Sequence, residues 1–235
     1  MITQEQFETG LRLDQYISSI AQNKENFRAN FIKAIEAYSA DDILFFRALK
    51  EKIHVAVVTD DDSYDALRDV PLIGRISVEV GRVALRLFRP RTHAEMAAAV
   101  AQAAGIEKVE FKHLPVIALF SPRMELLGVH VRRLSMMDEE LRRRHSDWVL
   151  AHPEVVDAAE SFEAMSPNTR TRVTQALFSL TGEQRLDWGR RAVVAWRQII
   201  AQSLLTANGA NLTSTAPLPT PEAPQVTPNS QADTL

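Results

Sequence analysis

An acidic loop with a hydroxyl group at its centre is the stretch of this sequence best suited to chemistry. It reads Thr59-Asp60-Asp61-Asp62-Ser63-Tyr64-Asp65. Carboxylates suit Ca²⁺ and Mg²⁺, yet the loop lacks the glycine and the distal glutamate of a calcium-binding EF-hand. Acidic side chains at the start of a helix are stabilised by the helix dipole without any ion. We therefore predict neither a metal site nor a cofactor at this loop.

Ser63 could act as a nucleophile only with a neighbouring base to remove its proton. The candidate bases are His54, His113 and His130. The simpler interpretation is that the Ser63 oxygen caps the helix that follows, as serine does at many helix starts. The chain has no cysteine, so thiolate chemistry, disulfides and cysteine metal sites are excluded.

The loop lies between a predicted strand and a predicted helix. Residues 53–58 are apolar at nearly every position, which is typical of a strand covered on both faces. Residues 65–80 repeat at helical spacing, although Pro71 should kink or divide that helix. Further elements are predicted at 83–88 (strand), 94–104 (helix), 114–121 (strand) and 126–131 (strand). This order predicts a parallel first pair of strands and a final hairpin.

Helical patterns flank this region on both sides, and the composition then changes abruptly. Three helices are expected within residues 3–50, and more follow residue 153. Five of the 11 prolines lie in the last 29 residues, which carry too little apolar surface to offset their ordering entropy. We predict a domain over 1–152, a C-terminal helical extension over 153–206 and a disordered Pro/Thr-rich tail over 207–235.

The order of elements, the loop after the first strand and Leu114-Pro115 before the third resemble the thioredoxin-like fold. They are most similar to bacterial thioredoxin family proteins with a Trp-Cys-Gly-Asp-type loop. The resemblance covers residues 1–152 and is strongest between 53 and 133. It implies an α/β fold of three layers with a mixed central sheet, an N-terminal helical extension and extra C-terminal helices. It also implies a cis peptide bond between Leu114 and Pro115, facing the loop.

The resemblance also implies which residues stand where the family has its active site. Aligned on Pro71, the family loop and its resolving position fall on Asp62, Ser63, Tyr64, Asp65 and Ala66. Ser63 occupies the place of the nucleophilic cysteine. Serine has no disulfide redox couple, and a helix dipole worth about 0.3–1 kcal/mol at an exposed site cannot make its hydroxyl a thiolate substitute. The alignment therefore predicts a redox-inactive protein, not a thiol-disulfide oxidoreductase.

Three hypotheses for function follow. In active relatives the cis-proline edge pairs with an extended peptide through backbone hydrogen bonds, which need no cysteine. We therefore predict a non-catalytic protein- or peptide-binding module with a groove at His113, Leu114 and Pro115 beside the loop. The alternative is an enzyme with non-thiol chemistry at Ser63 and Asp65, with His113 the best-placed base by the resemblance. A third hypothesis makes the C-terminal helices a homo-oligomer interface.

Charge and hydropathy limit the partner classes. The net charge of −3 over 235 residues argues against a general nucleic-acid binder. No apolar run approaches the roughly 20 residues that span a bilayer, so no membrane partner is expected. Residues 1–6 have neither a basic nor an apolar run, and no signal peptide is predicted. We expect a cytoplasmic protein whose partner is an unidentified protein or peptide.

Overall fold

The centre of the fold is a four-stranded mixed sheet. The structure is a computed structural model that describes residues 2–21, 23–61, 63, 65–110, 113–131, 135–161, 164–178 and 182–207. The strands are β1 (Ile53–Val58), β2 (Val83–Phe88), β3 (Val116–Phe120) and β4 (Leu126–Val131). Their order is β2-β1-β3-β4, with β1 and β2 parallel and the other two pairs antiparallel. This confirms the predicted strands and directions, although β3 begins two residues after Leu114.

The described residues also form helices on both sides of the sheet region. They are α1 (Gln4–Glu8), α2 (Leu13–Ser19), α3 (Lys24–Lys33), α4 (Ala40–Arg47), α5 (Ala66–Val80), α6 (Ala94–Ala103), α7 (Ser135–Ala151), α8 (Pro167–Phe178) and α9 (Gly182–Ala207). Short 3₁₀ helices occur at Ala34–Ala37 and Val156–Ala159. None of these helices is both long enough and apolar enough to cross a membrane.

Helix α5 passes through Pro71 without being divided. Proline has no N–H, so the carbonyl of Leu67, four residues earlier, lacks its usual helical donor. The Asn30 side chain supplies that donor, since its Nδ2 lies 2.7 Å from the Leu67 oxygen. A side chain from α3 thus satisfies the backbone group that the proline leaves free, and α5 continues for nine residues beyond it.

Each face of the sheet is buried by its own layer of helices. Alternate strand residues point to opposite faces. Val55, Val57 and Ile117 belong to a core cluster with α5, whereas Ala56, Val58 and Ala118 belong to a second cluster with α6. All six side chains are completely buried. Burial on both faces explains why β1 is apolar at nearly every position.

Helix α9 belongs to the core on the α5 side of the sheet. Trp196 and Ile200 are completely buried in the cluster that contains the β1 and β3 side chains. Gly128 on β4 permits the close approach, because a Cβ atom there would lie 2.5 Å from Cγ2 of Ile199. The predicted C-terminal extension therefore packs directly on the sheet layer. α9 also continues through Ala207, the first residue of the predicted tail, whereas residues 208–235 lie outside the described residues.

Candidate functional site

The acidic loop and the Leu114–Pro115 segment meet at the same edge of the sheet. β1 and β3 are antiparallel neighbours, and Val58 at the end of β1 pairs with Val116 at the start of β3. This pairing brings together two segments that are 51 residues apart, and the Ser63 hydroxyl donates to the Leu114 carbonyl at 3.1 Å. The Leu114–Pro115 peptide bond is cis, as predicted. The loop that carries Ser63 and the start of β3 therefore form one junction.

This junction is tightly packed. Ser63 is 4% exposed and Leu114 is 3% exposed. Asp65, Ala66 and Pro115 are also buried, so His113 is the only partly exposed member among the predicted site residues that the structure describes. Asp62 and Tyr64 lie outside the described residues. Among the described residues of the junction, His113 therefore forms the open side.

The Ser63 hydroxyl has the hydrogen bonds of a structural group. It donates to the Leu114 carbonyl, and its oxygen accepts the Ala66 N–H at 3.3 Å at the start of α5. His113 Nδ1 accepts the Glu110 N–H at 3.1 Å, and His54 Nδ1 lies 3.2 Å from the Ser121 oxygen. No histidine among the described residues hydrogen-bonds to Ser63. The geometry fits a helix cap, and no described histidine is placed to act as a base for Ser63.

Asp61 ties the loop to the rest of the fold. Its Oδ2 accepts from Arg89 Nη1 at 3.0 Å and from the Ala21 N–H at 3.3 Å. Arg89 also donates to the Ser19 carbonyl at 3.2 Å and lies 5.2 Å from the centre of the Tyr16 ring. Burial, together with the Asp61 carboxylate, raises the pKa of the Tyr16 phenol. In the described part of the chain, no three histidine or acidic side chains are grouped to hold a metal ion.

A buried ion network lies directly behind the loop. Arg68 Nε and Nη2 donate to the two Asp69 carboxylate oxygens at 2.6 and 2.7 Å, and Nη1 donates to Asp65 at 3.2 Å. The Asp69 side chain is completely buried, and that of Arg68 is 12% exposed. Burial alone would lower the pKa of the Arg68 guanidinium, but Asp69 and Asp65 outweigh it and the pKa is raised.

The same network reaches the C-terminal helices. The Arg68 guanidinium lies 5.6 Å from the centre of the Trp188 ring, and Trp188 Nε1 donates to Glu140 at 2.9 Å. Neither Arg68 nor its partners Asp69 and Trp188 were predicted from the sequence to be site residues. The available signal was Arg68 three residues after Asp65 and next to Asp69, a cation within a helix that is otherwise apolar on its inner side.

Comparison with known proteins supports the fold alone. No protein-family model and no curated protein matches this sequence. The crystal structure of PA1234, a protein of unknown function from Pseudomonas aeruginosa, is similar with a TM-score of 0.51 at 12% identity, over 75% of this chain and 96% of that chain. An HIV epitope-scaffold is similar with a TM-score of 0.50 at 12% identity, over 82% of this chain and 96% of that chain. These similarities support an α/β arrangement.

The contact between Ser63 and Ala66 shows where two cysteines would have to be placed to test the redox prediction. The unmodified chain should not accelerate insulin reduction by dithiothreitol, because it has no cysteine to form a mixed disulfide. A Ser63→Cys, Ala66→Cys variant places two thiols where the Ala66 N–H now meets the Ser63 oxygen. It should accelerate the reaction, since N–H groups at a helix start stabilise a thiolate.

The matched control is Arg143→Cys with Ser146→Cys, which has the same spacing at exposed positions in the middle of α7, away from any helix start. Activity of the unmodified chain would contradict a redox-inactive protein. A Ser63→Cys, Ala66→Cys variant no faster than the control would contradict the alignment of Ser63 with the family's nucleophile.

Proposed function

We propose that this chain is a thioredoxin-like, redox-inactive module that binds an extended segment of a protein or peptide at the His113–Pro115 edge. The observation that carries the proposal is the hydrogen bond from Ser63 to the Leu114 carbonyl at 3.1 Å. It joins the loop to the cis-proline segment in the relation that the family resemblance implies. The same hydrogen bond uses the Ser63 hydroxyl proton, which a base would have to remove in a serine enzyme.

Backbone pairing is the binding mode that this edge supports. The Leu114 carbonyl oxygen has two lone pairs, and Ser63 occupies one of them. Because Leu114 is only 3% exposed, a second donor reaches this oxygen once the His113 side chain moves aside. An extended peptide that approaches past the partly exposed His113 would add a short strand-like contact before β3, as in other cases of β-strand addition. Such binding depends on backbone groups and requires no cofactor.

The two alternatives receive less support. A serine enzyme would need a base at Ser63, and the histidines that the structure describes are hydrogen-bonded or packed elsewhere. An oligomer interface on α9 would have to use its exposed apolar side chains, Val194 and Leu205, because Trp196 and Ile200 face the chain's own core. Peptide binding needs neither feature.

A selected peptide tests the proposal. A random peptide library is screened against the full-length chain, and the affinity of an enriched peptide is measured by fluorescence anisotropy. His113→Trp should weaken that affinity at least tenfold, because the larger side chain covers the open side of the junction. The control Asn168→Trp, at an exposed position on α8, should leave the affinity unchanged. Equal binding by both variants, or no enriched peptide, would contradict the proposal.

A further inference from the structure

A second candidate site lies behind the loop, between α3, α5 and the start of α9. It is a cavity of about 730 Å³, within the size range of small-molecule sites. Its floor is apolar, because Ala34, Ala37, Leu72 and Trp188 line it and each is at least 93% buried. The cavity therefore offers an apolar floor against which an apolar group can pack.

Arg68 supplies the polar group in this cavity. A guanidinium has five N–H groups, and three of those of Arg68 donate to Asp65 and Asp69. Two N–H groups remain without an acceptor in the part of the chain that the structure describes. The Arg68 side chain is 12% exposed, so a ligand that brings an acceptor can take the place of water at these N–H groups.

The charges around the cavity select against an anionic ligand. Three cations line the cavity: Lys33, Arg68 and Arg185. Two carboxylates, Glu36 and Glu183, also line it, and two more, Asp65 and Asp69, pair with Arg68. The Asp65 and Asp69 carboxylates already pair with Arg68, so an anionic ligand at this guanidinium would have to approach two carboxylates. A neutral carbonyl can accept from Arg68 without adding a further negative charge.

From these three features we propose that the cavity binds a small neutral amide with an apolar side chain. The carbonyl accepts from Arg68, and the side chain occupies the floor formed by Ala34, Ala37, Leu72 and Trp188. This site is separate from the His113–Pro115 edge and does not depend on the function proposed there. The two sites are nevertheless connected, since Arg68 also holds Asp65 of the loop.

A pair of probes that differ in one charge tests the proposal. N-acetyl-L-leucine amide and N-acetyl-L-leucine are titrated into the isotope-labelled full-length chain while NMR follows the Asn30 side-chain amide and the Arg68 Nε–H. The neutral amide should shift both signals and bind at least tenfold more tightly than the carboxylate. Equal binding of the two probes, or shifts confined to other residues, would overturn the proposal.

A cavity-filling variant provides the second arm. Ala29 lines the cavity at an exposed position on α3, so Ala29→Trp should fill the space without disturbing the core. It should reduce amide binding at least tenfold, whereas Ala98→Trp, at an exposed position on α6, should not. Amide binding that survives in Ala29→Trp would overturn the proposal. Peptide binding at the His113–Pro115 edge should be the same in Ala29→Trp, so failure at one site is distinguishable from failure at the other.

Discussion

Replacing Trp196 with alanine should lower the free energy of unfolding by about 3–5 kcal/mol, the usual cost of truncating a large buried aromatic side chain. Trp196 is completely buried and lies in the core cluster shared by β1, β3 and α5. Its ring meets the His130 ring edge-to-face, with 6.1 Å between the ring centres. Its loss would leave a cavity where α9 meets the sheet layer. Urea unfolding followed by circular dichroism measures the change.

Two variants on the same helix separate packing from other effects. Trp196→Phe should cost much less than Trp196→Ala, because the indole Nε1 has no hydrogen-bond partner among the described residues and phenylalanine keeps most of the apolar contact. Val194→Ala, at a position 44% exposed, should change the free energy of unfolding by less than about 0.5 kcal/mol. If Trp196→Ala cost no more than Val194→Ala, α9 would not belong to the core in solution.

Replacing Asp69 with alanine should also cost about 3–5 kcal/mol of unfolding free energy, because it removes one partner of a buried ion pair and leaves the other charge poorly compensated. Asp69 accepts two hydrogen bonds from Arg68, at 2.6 and 2.7 Å. Only Asp65, at 3.2 Å, would remain to balance the guanidinium. The same urea titration measures this loss.

The matched control is Asp187→Ala on α9. Asp187 pairs with Arg191 at 2.7 Å, but both side chains are about half exposed, and exposed helical pairs contribute only about 0.3–0.5 kcal/mol. A similar small effect for Asp69→Ala would show that the Arg68 network is solvated in solution. That result would also remove the polar group from the proposed amide cavity.

The sheet was predictable from the sequence for a physical reason. A strand buried on both faces must be apolar at successive positions, and residues 53–58 meet that requirement. The undivided path of α5 through Pro71 was not predictable, because it depends on Asn30, a residue 37 positions from the carbonyl it satisfies. The helical spacing of α9 was predictable from the sequence. Its close approach to β4 was not, because that approach depends on Gly128 and Ile199, which lie far apart in the sequence.

The candidate site was predictable only in part. The expectation that Ser63 and Leu114 lie together came from the family resemblance, and the hydrogen bond between them agrees with it. The burial of both residues was missed, since an acidic loop suggests an exposed surface. Arg68 was missed for the converse reason, because cations are rarely buried and its contact with Trp188 exists only when α5 and α9 are packed together.

Chemical-shift mapping of the peptide-bound chain tests the central claim most directly. The isotope-labelled full-length protein is titrated with the enriched peptide while NMR follows its backbone amides. We expect the largest shifts at the amides of residues 63, 65, 66, 113, 114 and 116, where the loop and the start of β3 form one junction. Shifts that concentrate on α7, α8 or α9, with none at that junction, would contradict the account.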